Sequence, residues 1–532
     1  MTKWMRHHGA GLCAALLFLA GLALAGQRMW QAADRHFVYT LDDPYIHLSL
    51  ARNWIEQGVM GVTPHVFASA TSSPLWTGWM ALNMRVLGDR VWLPGLWAAV
   101  FAVLALLLTD RMARRLQASF AARLLACLAV LYFAPLVTLA TTGMEHTLHL
   151  ALLLLFFDRL LVCLDAPSRA AGAGLCLAAM AAVAARYETL FFIAPVVVGL
   201  AVRRQWRLAG GLVIAAALPV LGYGWFSAAH GGFWLPNSLM LKGRLPHGES
   251  LFAWAGGFIR VGFGEWLRQP ALMGLSLLAV VAGALAPRGS AMRAVAWSVP
   301  AALAIHLCLA RTGWFFRYEA YLVGAGVALL VPVIGRLLRR DGKAACAGSS
   351  FTKYGCRMAW VLLAVVPLHF RALAAHMQIG LAAKNIYQQQ YQIARFLRQN
   401  FPDGARIAIH DIGAISYYYP QGRVLDLYGL ADAEVVRLKR AGAWNSAAIR
   451  SLLAARRIDY VVVYPVWFIG AQALPAECLR VSSWLIPDLA VCGAARVSFY
   501  GTSPAASARL MQALAVYQPQ LPRDVLVMPD RR

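Results

Sequence analysis

The chain of 532 residues is 60% hydrophobic and only 14% charged, and its formal net charge is +25. Soluble domains carry about a quarter charged residues, so this composition excludes an ordinary soluble protein and predicts that much of the surface faces lipid. The Lys and Arg residues lie largely in short loops between apolar runs. That distribution follows the positive-inside rule and argues against nucleic acid as a partner.

The first apolar run, Ala10–Ala25, follows Lys3 and Arg6. Its end also fits a cleaved signal peptide, but further spans follow, and we interpret it as an uncleaved first span. A span needs roughly 20 apolar residues. Eleven are predicted, at about 10–29, 91–109, 122–140, 147–164, 171–185, 189–202, 208–228, 270–286, 292–310, 318–335 and 358–375. The shorter run Leu75–Leu87 is predicted to be interfacial or re-entrant.

The loop charges predict the orientation. A cytoplasmic N-terminus puts the markedly basic loops inside, among them Arg111–Arg115 and Arg203–Arg207. The same alternation sends a first outer loop (about 30–74), the loops near 141–146, 186–188, 230–250 and 311–319, and the tail to the extracytoplasmic side. We therefore expect a multi-pass protein of the cytoplasmic (inner) membrane.

The first outer loop contains Asp42-Asp43, followed by Pro44. An aspartate before proline is typical of a helix N-terminus, so the simplest interpretation of Asp43 is a helix cap. Asp42 is not needed for that cap, and its carboxylate can accept a proton from an incoming hydroxyl as a general base. Asp43 and His47 lie one helical turn apart and could support a divalent metal, but we predict that no metal is used.

Other polar residues lie at the predicted outer ends of spans. Glu145 begins one span, and Arg186 and Glu188 lie between two others. Lys242 and Arg317 lie outside, against the charge rule, which favours a phosphate partner at the membrane surface. The alternative is that these cations pair with nearby acidic residues or extend along their own aliphatic stems to water.

The polar stretch from about Lys384 is long enough to fold as a domain. After a helical stretch that ends near Gln399, strands are predicted at Ala405–Ile409, Arg423–Leu427 and Ile458–Val463, with a helix around Ser446–Arg457. We expect a small extracytoplasmic α/β domain.

Two pairs in this tail leave alternatives open. His410-Asp411, at the end of the first strand, is either a catalytic or metal pair or a turn cap. Cys478 and Cys492 either form a disulfide or stay free. The sequence contains no Walker loop, dinucleotide fingerprint, zinc spacing or nucleophile elbow, so nothing in it indicates a cytosolic nucleotide.

The motifs occur in a definite order between Asp42 and Asp432. They are Asp42-Asp43-Pro44-Tyr45 with Arg52-Asn53, Ser73-Pro74-Leu75-Trp76, Thr142-Gly143-Met144-Glu145, Arg186-Tyr187-Glu188, Leu235-Pro236-Asn237-Ser238 with Lys242, Arg317-Tyr318, Asp411-Ile412-Gly413-Ala414-Ile415, and Asp426-Leu427-Tyr428-Gly429-Leu430. This order resembles the GT-C membrane glycosyltransferases, in particular the branch that includes the mycobacterial terminal arabinofuranosyltransferase. Pro44, Tyr187 and His410 depart from the family pattern.

The resemblance implies a polytopic α-helical membrane protein with about 11 transmembrane helices and a GT-C-like catalytic domain over residues 1–383, followed by the tail domain over 384–532. Such enzymes move a sugar from a polyprenyl-phosphate donor to an envelope acceptor on the outer face, with inversion. Asp42 resembles the base, with Asp43 beside it, and Glu145 resembles the second acid. We expect the following residues to bind substrate or the departing phosphate: Arg52, Arg186, Glu188, Asn237, Lys242, Arg317 and Tyr318.

Two other functions stay open. One is a transporter or flippase for a lipid-linked glycan, which requires ionisable residues or broken helices near the bilayer midplane. The other is a non-catalytic scaffold for envelope assembly. The position of the acids at span ends favours the enzyme.

Overall fold

A computed structural model describes residues 3–243, 251–287, 290–346 and 351–529. The chain forms two compact units, each built from separated stretches. The first, which we call the span unit, comprises Met1–Leu24, Gly95–Gly222 and Lys242–Met377. The second, the tail unit, comprises Ala25–Pro94, Tyr223–Leu241 and Gln378–Arg532. The first outer loop therefore belongs to the same unit as the tail.

Up to Met377 the chain is built mainly from helices. They are α1 (Lys3–Ala32), α2 (Asp43–Gln57), α3 (Pro74–Leu87), α4 (Leu93–Arg115), α5 (Phe120–Phe133), α6 (Leu136–Thr141), α7 (His146–Asp165), α8 (Arg169–Ala185), α9 (Leu190–Val202), α10 (Trp206–Ala229), α11 (Asn237–Lys242), α12 (Leu251–Arg268), α13 (Pro270–Leu285), α14 (Ala291–Leu309), α15 (Ala320–Cys346) and α16 (Phe351–Met377). Each of the eleven predicted apolar runs coincides with helix.

The protein is a polytopic helical membrane protein. Five helices in the described ranges are long and apolar enough to cross a membrane, and two bent pairs would raise the number to seven. The five are Gly9–Ala32, Leu93–Arg115, His146–Asp165, Trp206–Ala229 and Met292–Leu309. Several other apolar helices, such as Arg169–Ala185, are shorter, so a total of eleven spans stays a prediction.

The predicted span 122–140 and the segment before the span at 270–286 differ from expectation. The former is broken between α5 and α6 at Pro135, because proline lacks the N–H that a continuous helix requires. Helix α12 was not predicted, since charged residues interrupt its apolar pattern. It meets α13 at an angle of 104°.

Ile259, Phe263 and Leu267 form an exposed apolar stripe on α12, at a spacing of one helical turn.

The core of the span unit consists largely of Leu and Ala side chains, with α7 among its most buried helices. Small residues permit close helix packing: a side chain at Gly324 of α15 would collide with Leu150 of α7. Part of the basic cluster near Arg111 is paired, because Asp158 accepts hydrogen bonds from Arg111 and Arg115 at 3.0 and 2.7 Å.

The tail unit contains a mixed six-stranded sheet in the order β2-β1-β3-β5-β4-β6. The first three strands in this order are parallel, and the remaining neighbours are antiparallel. The strands are β1 (Arg406–Ile409), β2 (Arg423–Asp426), β3 (Tyr460–Val463), β4 (Leu479–Leu485), β5 (Arg496–Gly501) and β6 (Leu526–Pro529). The later helices are α17 (Ile379–Ile386), α18 (Gln392–Asn400), α19 (Gly413–Tyr418), α20 (Ala433–Arg440), α21 (Ser446–Ala455) and α22 (Pro504–Tyr517).

Alternate residues of the central strands enter two separate cores. Ile407 and Ile409 face a core that includes α18 and α22, whereas Ala408 faces one that includes α20 and α21. This alternation is the ordinary two-residue period of a strand, and it places helices on both faces of the sheet.

The structure rules against the disulfide considered for the tail. Cys478 and Cys492 are both free thiols. Cys492 is buried in the core that contains Ile407 and donates to Gln390 Oε1 at 3.4 Å, whereas Cys478 packs against the core on the other face. Because the two side chains lie on opposite faces of the sheet, they cannot bond.

Candidate active site

The carboxylate of Asp42 lies against the first turn of α19. Its Oδ2 accepts the backbone N–H of Gly413 at 2.6 Å, and its Oδ1 accepts that of Ala414 at 2.8 Å. Both donors are N–H groups that have no partner inside a helix at its first turn. Each carboxylate oxygen keeps a second lone pair, so Asp42 is held in place and can still accept a proton.

The local sequence explains why Asp42 is available for this contact. Helix α2 begins at Asp43 with Pro44 in its first turn, and Asp42 occupies the N-cap position. The side chain of Asp42 makes no cap hydrogen bond to α2. The prediction that Asp43 is the cap residue is therefore wrong by one position, because Asp43 already belongs to the first turn of the helix.

Gly413 is required by the closeness of this contact. A Cβ atom at this position would collide with the backbone carbonyl oxygen and the carboxylate of Asp42. The motif Asp411-Ile412-Gly413-Ala414 thus supplies two backbone amides to Asp42. Glycine at position 413 permits this close approach because it has no Cβ atom.

The surroundings of Asp42 raise its pKa to about 8, first because the carboxylate is enclosed by protein and second because Asp411 is close by. The two backbone amides act in the opposite direction, and the charge of Asp43 adds a smaller increase. A base is most effective when its pKa lies near the working pH. Asp411 is therefore an acidic neighbour of Asp42, in addition to Asp43, that the sequence did not indicate.

Asp411 is held by side chains from two other segments. Its Oδ2 accepts hydrogen bonds from the Tyr464 hydroxyl and from Gln390 Nε2, each at 2.8 Å. Tyr464 follows β3, and Gln390 lies in a short π-helical stretch between α17 and α18. Gln388, Gln389 and Gln390 are all buried, and a run of glutamines in an otherwise amphipathic helix is the signal that could have identified them.

His410 is not an effective partner of Asp411. Its Nε2 lies 3.8 Å from Asp411 Oδ2, beyond hydrogen-bond distance. The ring is buried beside the rings of Tyr464 and Trp467, with centroids 3.9 and 5.1 Å away, and burial lowers the pKa of His410. Burial therefore favours the neutral form of His410, and its ring is part of an aromatic cluster at the end of β1.

Arg52 and Asn237, both predicted to bind substrate, make internal contacts in the tail unit. Arg52 donates to the carbonyl oxygens of Tyr417 and Ser416 at 2.9 and 3.1 Å. Asn237 Nδ2 donates to the carbonyl oxygen of Leu430 at 3.0 Å. Both residues are at most 9% exposed. These contacts engage the Arg52 guanidinium and the Asn237 amide nitrogen in structural hydrogen bonds.

In the span unit, Arg186 lies between two carboxylates. It donates to Glu145 Oε1 and Glu188 Oε1, both at 2.5 Å, and also to Glu188 Oε2 at 3.2 Å. Glu145 is fully buried and Arg186 is 9% exposed. The expectation that Arg186 holds a phosphate is therefore not supported in this arrangement, because two negative charges already neutralise its guanidinium. The alternative that the outer cations pair with nearby acids holds for Arg186.

Arg317 follows an unusual turn. Gly313, Trp314, Phe315 and Phe316 all have positive φ, between 45° and 81°, which is rare for residues other than glycine. Arg371 stabilises the turn by donating to the Phe316 carbonyl oxygen at 2.6 Å and to Glu319 Oε1 at 2.8 Å, while Glu319 Oε2 accepts the N–H of Gly313. Strain of this kind is retained where the surrounding contacts fix it, often at functional sites.

Arg317 itself is 3% exposed, and its guanidinium lies 5.2 Å from the ring centroid of Tyr318. Lys242 ends α11 and is half-buried. It precedes residues 244–250, which lie outside the described ranges, so the end of that predicted outer loop is not placed. Arg317 and Lys242 stay candidates for a phosphate.

The suggested metal pair, Asp43 and His47, lies at the start of α2. His47 Nδ1 lies 2.8 Å from Thr77 Oγ1. Among the described residues, no group of three His, Cys, Asp or Glu side chains is arranged to hold a metal ion. The predicted independence from metals stays a prediction.

The chain has a GT-C fold. The chain is similar to the crystal structure of ArnT from Cupriavidus metallidurans bound to undecaprenyl phosphate, with a TM-score of 0.52, 15% sequence identity and coverage of 92% of this chain and 98% of that chain. It is also similar to the oligosaccharyltransferase of Archaeoglobus fulgidus, with a TM-score of 0.54, 14% identity and coverage of 97% and 79%.

Sequence comparison adds one match. A family described as a domain of unknown function (DUF8728) matches residues 384–500, which contain the sheet strands β1 to β5 in whole or in part. No curated protein matches the sequence.

Proposed function

We propose that this protein transfers a sugar from a polyprenyl-phosphate donor to an envelope acceptor on the outer face of the cytoplasmic membrane. The observation that supports this most directly is the fixed carboxylate of Asp42, which has a raised pKa and an acidic neighbour in Asp411. The GT-C fold is consistent with such chemistry, although a fold alone does not define a reaction.

In the proposed reaction, the acceptor hydroxyl gives its proton to Asp42, and the acceptor oxygen forms a bond to the anomeric carbon of the sugar. The bond from that carbon to the phosphate oxygen breaks, and polyprenyl phosphate leaves on the opposite side, which inverts the anomeric configuration. The amides of Gly413 and Ala414 fix the direction of the carboxylate, so the base is already oriented for the reaction in the folded protein.

Two observations support the proposed donor class. The similar ArnT structure was solved with undecaprenyl phosphate. In this chain, Arg317 is a buried cation that directly follows a fixed, strained turn, and a cation in such a setting can stabilise the negative charge on a departing lipid phosphate. Lys242 is a second candidate for the same role. The motif resemblance to arabinofuranosyltransferases makes a pentofuranose the first sugar to test.

The experiment that tests this proposal begins with deletion of the gene and mass spectrometry of the envelope glycans. We expect loss of one type of sugar residue, which would identify both the sugar and the acceptor. Complementation with the wild-type gene should restore that residue, and complementation with Asp42→Asn should not. Restoration by Asp42→Asn to the wild-type level would refute the assignment of the base.

A transporter of lipid-linked glycans is the second candidate, and the 104° break between α12 and α13 favours it, because transporters often use broken helices. Proteoliposomes separate the two functions. Movement of the labelled donor across the bilayer without any new glycosidic bond would favour transport, whereas bond formation favours the transferase.

A further inference from the structure

A groove of about 600 Å³ opens in the tail unit, apart from the Asp42 carboxylate. Arg52, Asp89, Arg90, Arg398 and Tyr417 are among the residues that line it. All the residues that line it belong to the tail unit, so the groove is formed within one compact body.

The groove has more positive than negative charge. Arg52 and Asp89 are 3.5 Å apart and largely neutralise each other, and Asp89 also accepts the Tyr417 hydroxyl at 2.8 Å. Arg90 and Arg398 are exposed, and neither forms an ion pair with any residue in the described ranges. Two guanidinium groups are thus available to an anionic ligand.

The residues in and beside the groove indicate that it lies near the membrane surface. Trp92, which also lines it, directly precedes the membrane-crossing helix that begins at Leu93, and its side chain is 44% exposed. Leu82 and Val86, one turn apart on α3, are 55% and 74% exposed. Exposed tryptophan and apolar side chains beside arginine are typical of the boundary between hydrocarbon and headgroups. The anion expected at that depth is a phosphate.

We propose that this groove binds a phosphate group at the membrane surface, with Arg90 and Arg398 as the hydrogen-bond donors. Guanidinium groups bind phosphate oxygens through paired, charge-assisted hydrogen bonds, and two of them from separate segments surround one phosphate better than one can. The phosphate belongs either to an anionic phospholipid headgroup or to a free phosphate group. This site does not depend on the proposed transferase reaction.

The test measures binding to the purified full-length protein in a neutral detergent. The probes are dihexanoyl-phosphatidylglycerol, dihexanoyl-phosphatidylcholine as the zwitterionic reference, and inorganic phosphate. We expect Arg90→Gln combined with Arg398→Gln to weaken binding of the anionic lipid by roughly tenfold or more, since charge-assisted hydrogen bonds are lost. Because both side chains are exposed, the melting temperature should stay that of the wild type.

The matched control is Arg496→Gln combined with Arg523→Gln. These two arginines are also exposed, lie in the same unit and do not line the groove. Weaker binding of the anionic lipid by the groove variant alone supports the proposal. If inorganic phosphate then competes with the lipid, the ligand is a free phosphate. If inorganic phosphate does not compete, the ligand is the lipid headgroup. Equal binding by the wild type and both variants, or equal weakening in both variants, overturns the proposal.

Discussion

Asp42 and Arg52 hydrogen-bond to opposite ends of the same short helix, α19. Asp42 accepts the N–H groups of Gly413 and Ala414 at its start, and Arg52 donates to the carbonyl oxygens of Ser416 and Tyr417 near its end. A carboxyl group that accepts the free N–H groups at a helix N-terminus and a cation that donates to the carbonyl groups at its C-terminus both stabilise the helix. The two residues thus fix α19 to α2, and α19 in turn fixes the direction of the Asp42 carboxylate.

Asp42→Asn should lower the rate of sugar transfer by about 10²- to 10⁴-fold, which is the usual contribution of a general base. The folded state should lose only about 1 kcal/mol, because the amide oxygen of asparagine still accepts one of the two N–H groups. Transfer with a defined donor and thermal unfolding measure the two effects. Asp432→Asn is the control: Asp432 caps α20 in the same unit, and asparagine caps equally well. A similar loss of transfer in both variants would contradict the assignment.

The rate of transfer should rise with pH through about 8. Asp42 acts as a base only when it is deprotonated, and a raised pKa means that the active form increases as the pH approaches and passes that value. Asp411→Asn should move the profile to lower pH, because it removes a neighbouring negative charge that favours protonation of Asp42. The pH dependence of kcat/KM measures this shift. An unchanged profile in Asp411→Asn would show that the two carboxylates do not interact.

Glu145→Gln should reduce the free energy of unfolding by about 3 kcal/mol, since it removes one partner of a buried guanidinium. If Arg186 instead bound the donor phosphate, the same variant would strengthen donor binding by freeing that cation. Thermal unfolding and the KM for the donor distinguish these results. Glu477→Gln is the control for charge removal, because the Arg450–Glu477 pair is exposed and such pairs contribute about 0–1 kcal/mol.

Arg371→Gln should raise the KM for the lipid donor. The variant removes the contacts that hold the left-handed turn before Arg317, so the position of that cation should become less defined. Gly313→Ala should act in the same direction, because alanine is disfavoured at a φ of 81°. Arg260→Gln, on the exposed helix α12, serves as the control for loss of one arginine. Unchanged donor KM in both turn variants would contradict a role for the turn in placing Arg317.

Long apolar runs predict helices well, because burying twenty backbone amides in lipid requires that they pair within the segment. The strands β1, β2 and β3 also lie where the β-branched runs predict them. Strands β4 to β6 were not predicted, and a register shift between Arg480 and Ser482 is one reason that their pattern is weak. Helix α12 was missed because charges interrupt it.

The contacts of the candidate site were less predictable than its residues. The sequence singled out Asp42 and the motif around Gly413, but it did not show that the carboxylate accepts the motif's amides. The positions are separated by 371 residues, and one sequence contains no information on such pairing. The pairing of Arg186 with Glu145 and Glu188 was expected only as an alternative, because a phosphate and a carboxylate both accept charge-assisted hydrogen bonds from an arginine.

The contact between Asp42 and α19 has a consequence for biosynthesis. A ribosome makes Asp42 long before Gly413, which follows only after every helix up to α18 has been made. Early in synthesis, the Asp42 carboxylate therefore lacks its two donors, the amides of Gly413 and Ala414. Such a long-range contact forms late, so the protein should pass through an inserted but inactive intermediate, and activity should mature only after the tail has reached the same side of the membrane.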